Sequence, residues 1–270
     1  MNQPLESSGL KETNSSLTLP VIGVFTAVAA TTTMDATGLS TFSAFALLPL
    51  MFLFWYLDRL SRAEIGFKWG TRAGYGIATL YPLIVMGAIT VVATCARAID
   101  FSKTNWNKAA LNFAILMIST FLVAIVTEEG FFRGWLWGSL RRRRVKETHA
   151  VLWSSIAFAA WHISAVTLDP DFKPPAAQVP VFLINAAAIG AIWGLLRWIS
   201  GSILVSSLSH GVWNALAYVF FGFGTRTGAL GISNTAIFGP EIGILGLFLN
   251  LIFLFALLRW WARKTALAQS

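Results

Sequence analysis

Apolar residues fill this chain in long blocks, separated by short clusters of charge, glycine and proline. A helix that crosses a bilayer needs ~20 mostly apolar residues. Eight blocks come close to that length: 17–34, 39–57, 75–96, 109–138, 150–166, 179–198, 202–221 and 241–258. The pattern predicts an all-α polytopic membrane protein with about eight transmembrane helices. The first block is the weakest, rich in Thr and Ala and followed by Asp35, and a re-entrant or interfacial segment is its other reading. The fourth is longer than a bilayer requires, so its helix is expected to tilt or protrude. Prolines and charges at 168–175 and glycines at 222–239 read as loops.

Composition agrees. Hydrophobic residues make up 56% and charged residues 12%, about half the ~25% charged of soluble proteins. Lipid is the solvent such a surface needs. The net charge of +8 would suggest nucleic acid if the basic residues lined a soluble face. They lie instead in the gaps between apolar blocks, so no nucleic-acid partner is expected.

With eight spans both termini share one side. That side collects Lys11, Arg59, Arg62, Lys68, Arg72, the arginines at 141–144, Lys146, Arg197, Arg259, Arg263 and Lys264. The other holds Arg97, Lys103, Lys108, Lys173 and Arg226. The positive-inside bias assigns the basic side, and both termini, to the cytoplasm of a multi-pass protein expected in the plasma membrane. Trp55, Trp69, Trp135, Trp137, Trp198, Trp260 and Trp261 fall on the same side, as an interfacial aromatic belt does. Residues 1–16 read as a polar tail without the basic start of a signal peptide. Cys95, the lone cysteine, sits in an apolar block and reads as a small buried residue.

Ionisable side chains inside spans cost at least ~2.5–3.5 kcal/mol on insertion scales. Glu128, Glu129 and Arg133 lie in the fourth block, His162 in the fifth, and His210 with Asn214 in the seventh. On a helix Glu129 and Arg133 share a face, while Glu128 points ~100° away. Glu128 precedes Val145 by seventeen residues and His162 follows it by seventeen, so a hairpin brings them to similar depth. The group converges near the midplane or in the cytoplasmic half. Phe158 stands one turn before His162. Glycines at 130, 134 and 138 form a small-residue stripe suited to close helix packing. Glu128 and His162 can hold and deprotonate a water, and His210 and Asn214 can donate to an oxyanion. Ser206, Ser207 and Ser209 near His210 read as helix-bonded serines, not nucleophiles. A metal is the other reading of Glu128, His162 and His210, since these are Zn²⁺ ligand types, although the H-E-x-x-H spacing is absent.

Glu128-Glu129-Gly130-Phe131-Phe132-Arg133, Phe158-Ala159-Ala160-Trp161-His162 and His210-Gly211-Val212-Trp213-Asn214 resemble, in order and spacing, the three motifs of the type II CAAX-prenyl-protease and bacteriocin-processing family. The resemblance implies a helical bundle around a polar catalytic cavity open to the cytoplasm and the membrane. It implies endoproteolysis with Glu128 and His162 activating water, His210 and Asn214 stabilising the oxyanion, and Glu129, Arg133 and Phe158 in support. No cofactor is certain from it; the family has been described as metalloproteases, with Zn²⁺ the metal. The implied partner is a membrane-associated protein or peptide, lipidated in the eukaryotic members. The chain then divides into a tail (1–16), N-terminal helices (17–108), a catalytic core (109–221) and a C-terminal loop, helix and basic tail (222–270). Two other classes compete: an inactive member acting as a scaffold or bacteriocin-immunity protein, and a proton-coupled transporter. Intact Glu128, His162, His210 and Asn214 weigh against the first, and the lack of an internal repeat against the second.

Overall fold

The computed structural model describes residues 16–224 and 226–267. Of the expected tail 1–16, all but Ser16 lies outside the described residues. Among those described, eight helices are long and apolar enough to cross a membrane. They are α1 (Thr18–Ala36), α2 (Ser40–Asp58), α3 (Arg72–Cys95), α4 (Trp106–Arg142), α5 (Glu147–Thr167), α6 (Ala176–Ser200), α7 (Ile203–Phe221) and α8 (Ile244–Leu267). They fall on the eight apolar blocks. α1 is one uninterrupted helix of 19 residues. α8 begins after Glu241 and continues to Leu267, so the basic residues expected in a tail occupy its last turns. Cys95 is exposed at the end of α3, contrary to the buried position expected for it.

α5, α6 and α7 are the most buried spans, and α7 packs against α3, α4 and α6. Large apolar side chains on the outer helices, such as Phe25, Ile115, Leu122 and Phe255, are exposed, as lipid-facing residues are. The backbones of α4 and α7 meet at Gly211, where a Cβ would lie 2.7 Å from the Met117 carbonyl oxygen. The stripe on α4 works similarly. A Cβ on Gly138 would lie 2.9 Å from the Glu64 carbonyl oxygen and one on Gly134 3.1 Å from Ile65. These glycines admit the short helix Arg62–Ile65, whose start is closed by a capping box between Ser61 and Glu64.

One end of the bundle is stitched by the arginine run. Arg143 pairs with Asp58 at 2.7 Å, Arg142 with Glu64 at 2.8 Å, and Arg141 with Glu147. Asp58 also accepts from Trp135 Nε1 at 2.8 Å and from the Ser139 hydroxyl. Backbone, side-chain and charged hydrogen bonds at Ser61 and Arg142 outweigh partial burial and hold the Glu64 carboxyl below its ordinary range. At the opposite end a two-stranded hairpin, β1 (Gly222–Phe223) and β2 (Arg226–Thr227), rests on the 168–175 loop, with Phe172 stacked on Phe223 at 4.6 Å.

Two of the helices are broken where the motifs fall. α4 is α-helical to Val126, turns at Thr127, and is π-helical over Glu129–Leu136 before an α-helical end at Trp137–Arg142. α5 is interrupted at His162, between Glu147–Trp161 and Ile163–Thr167.

Candidate active site

Glu129 and Arg133 are fully buried and ion-paired at 3.1 Å, as their spacing predicts. The guanidinium also donates to the Gly190 carbonyl at 3.1 Å and lies over the Phe158 ring at 4.2 Å. Arg133 is thereby tied to α5 and α6 at once. Glu129 Oε1 faces His210 Nδ1 at 3.3 Å. Paired with Arg133, this carboxylate accepts, so Nδ1 of His210 carries the proton. The ring is stacked on Trp193 at 4.1 Å, and Trp193 is anchored through Nε1 on the Ser209 hydroxyl at 3.2 Å. His210 Nε2 then points to Glu128, 3.9 Å from Oε2.

His162 is oriented by the same logic. Its Nδ1 lies 2.9 Å from the Phe158 carbonyl oxygen, which can only accept. Nδ1 therefore donates and Nε2 keeps a free lone pair. Edge-on contacts with Phe158 and Trp161, at 4.5 and 4.7 Å, hold the ring. Asn214, one turn after His210, has no hydrogen-bond partner among the described residues, so its amide is available. Ser206 donates to the Ile203 carbonyl at 3.1 Å, the helix bonding expected for it.

Glu128, His162, His210 and Asn214 all line one cavity of about 560 Å³. The sequence-predicted site residues are thus brought together, with Glu129 and Arg133 behind the wall and Phe158 in it. Among the described residues no three His, Cys, Asp or Glu side chains are grouped to hold a metal ion. Glu128, His162 and His210 as placed do not fit a metal centre.

The cavity has a side. Asp169 and Asp171 of the 168–175 loop, Arg226 of the hairpin and Thr41 form its rim. That rim is at the end of the bundle opposite the arginine run. Two expectations therefore part: a cytoplasmic mouth, implied by resemblance, and a cytoplasmic arginine run, implied by charge, place opposite faces in the cytoplasm.

One wall residue escaped the sequence reading. Glu241, between the short helix Thr235–Phe238 and α8, lines the cavity and accepts from Trp213 Nε1 at 3.1 Å. Burial pushes its carboxyl up to about 7. The only signal was its position beside Gly239 and Pro240 at the edge of an apolar block.

The model of the Rce1-like type II CAAX prenyl endopeptidases matches residues 110–216. No curated protein and no solved structure matches the chain. The matched segment carries all three motifs and the helices that hold Glu128, His162, His210 and Asn214 around the cavity; over this segment the chain is similar to the type II CAAX prenyl endopeptidases.

Proposed function

We propose that this protein is an intramembrane endopeptidase acting on a membrane-associated protein or peptide. The observation that carries the reading is the pair of acceptors, Glu128 and the bare Nε2 of His162, on one cavity wall. A water between them gives one hydrogen to each, and its remaining lone pair is free to attack a carbonyl carbon. Glu128 takes the proton as the C–O bond forms. The Asn214 amide donates to the oxyanion, and so does His210 Nε2 when the ring carries both protons. Glu128 then passes its proton to the leaving nitrogen as the C–N bond breaks.

The arginine run lies in the cytoplasm in this reading, because its charge bias is the stronger physical constraint. The mouth then faces the other side of the membrane, and substrate arrives from there or from the adjoining leaflet. The test of the activity is cleavage by purified protein in detergent. Glu128→Gln keeps shape and hydrogen bonding but removes the base, so turnover should vanish while peptide binding persists. A fully active Glu128→Gln protein would refute the assignment.

A further inference from the structure

Glu241 belongs to none of the three motifs, yet a considerable structure holds it. Asn185 Nδ2 donates to the carbonyl oxygens of Pro240 and Glu241, at 2.8 and 2.9 Å. Asn250 Nδ2 donates to Asn185 Oδ1 at 2.8 Å, and the Tyr81 hydroxyl donates to Asn250 Oδ1 at 2.7 Å. Tyr81, Asn185 and Asn250 are all fully buried. A polar chain from α3 through α8 to α6 thus ends on the backbone of residues 240–241 and fixes where the Glu241 side chain begins. Buried polar chains are costly unless fully satisfied, and this one is satisfied link by link.

The carboxylate so placed has no Lys or Arg paired with it among the described residues. Trp213 donates to Oε1, and Oε2 has no donor among the described residues. The cavity wall carries Glu128, Asp169, Asp171 and Glu241 against Arg226. None of these four carboxylates is paired with a Lys or Arg among the described residues. Burial, helped by the nearby Glu128, raises the pKa of Glu241 against the Trp213 hydrogen bond and the proximity of His210.

We propose that Glu241 is a specificity-determining residue that receives the cationic side chain of a substrate lysine or arginine, making the cavity selective for basic peptides. The proposal rests on the endopeptidase reading for its consequence in turnover, but not for binding. A Lys or Arg arriving here supplies the missing counter-charge where water is scarce, so the pair counts for more than on a surface.

Two measurements separate the claims. The first is binding to the Glu128→Gln protein in detergent of a Leu/Ala-rich membrane peptide carrying two lysines, against its twin carrying glutamines. The lysine peptide should bind roughly 10- to 100-fold tighter. Adding Glu241→Gln, which keeps an acceptor for Trp213, should erase the difference with the melting temperature preserved. Equal affinities for the two peptides, or a preference that survives Glu241→Gln, would overturn the proposal. The second is turnover of a proteome-derived peptide mixture by the wild-type protein, with cut sites read by mass spectrometry. Lys or Arg should be enriched at one position near the cut and lose that enrichment in Glu241→Gln. Cutting without enrichment, or a uniform slowing by Glu241→Gln across all sites, also overturns it. No cutting at all, with the binding preference intact, removes the endopeptidase reading and leaves the cationic subsite standing.

Discussion

Glu129 is buried against Arg133, while its neighbour Glu128 faces the cavity. The separation follows from helix geometry and sets different expectations for each side chain. Arg133→Ala would strand Glu129 as a buried charge, which costs roughly 3–5 kcal/mol; thermal unfolding in detergent should show a much earlier transition, and an unchanged one would show that the pair is not structural. His162→Ala should abolish turnover much as Glu128→Gln does. The double variant should be little worse than either single, because the two act on one water. His210→Ala and Asn214→Ala should each slow turnover about 10²- to 10³-fold if they are oxyanion donors, with peptide affinity nearly unchanged. Glu241 adds a pH effect. Its pKa is raised to about 7 from an ordinary 4.5, so the folded state holds a proton that the unfolded state releases between those values. Stability should therefore fall as pH rises from about 4.5 through 7, and Glu241→Gln should flatten that slope. A slope that persists in Glu241→Gln would assign it to other groups. The motif residues were legible in sequence because an ionisable group in an apolar block is conspicuous. Glu241 was not, because it stands at the very edge of its block and its support comes from Asn185, Asn250 and Tyr81 on three different helices.

At the scale of elements, helix number and approximate extent followed from block length, since the bilayer sets both. The interruptions at Thr127 and His162 did not. A run of Val, Ile and Phe looks the same whether the backbone closes an α or a π turn, and the choice depends on tertiary packing that sequence does not place. The glycine stripe was readable as packing, though not its partner, the Arg62–Ile65 helix. Two glycines offer a controlled comparison. Gly138→Ala must displace the Glu64 backbone and should destabilise by about 1–3 kcal/mol, as overpacking does. Gly76 on α3 has open space where a Cβ would go, so Gly76→Ala should be neutral or stabilise by up to ~1 kcal/mol through helix propensity. Equal melting temperatures for the two variants would contradict the close approach at Gly138.

For the whole molecule the decisive quantity is which end faces the cytoplasm. The arginine run and the cavity rim are at opposite ends, so one experiment orients both. A reporter fused after Lys146 should read as cytoplasmic. In a Cys95→Ser background, needed because Cys95 is exposed, Asp171→Cys should react with a membrane-impermeant thiol reagent added outside intact cells. Labelling only after lysis would invert the molecule and give the cavity a cytoplasmic mouth. Charge counting bears on the orientation of the helices but not on the side on which the cavity opens. That depends on Asp169, Asp171 and Arg226 closing over one end, an arrangement made by loops that carry no periodic signal.

The π-helical stretch Glu129–Leu136 also bears on how this chain can change length over time. Upstream of it, Met117 and Phe121 are seated against Gly211. At its end and beyond, Trp135, Gly138 and Ser139 are seated against Asp58 and the Glu64 backbone. Both halves of one helix are therefore indexed to separate parts of the bundle, and the wide turns between them absorb the difference in phase. Deleting a single residue there would rotate one half by ~100° against the other, pulling either the glutamate pair or the Asp58 anchor out of place. A one-residue gap in 129–136 should thus be as damaging as losing Glu128 itself, whereas the 168–175 loop has slack to lose or gain residues.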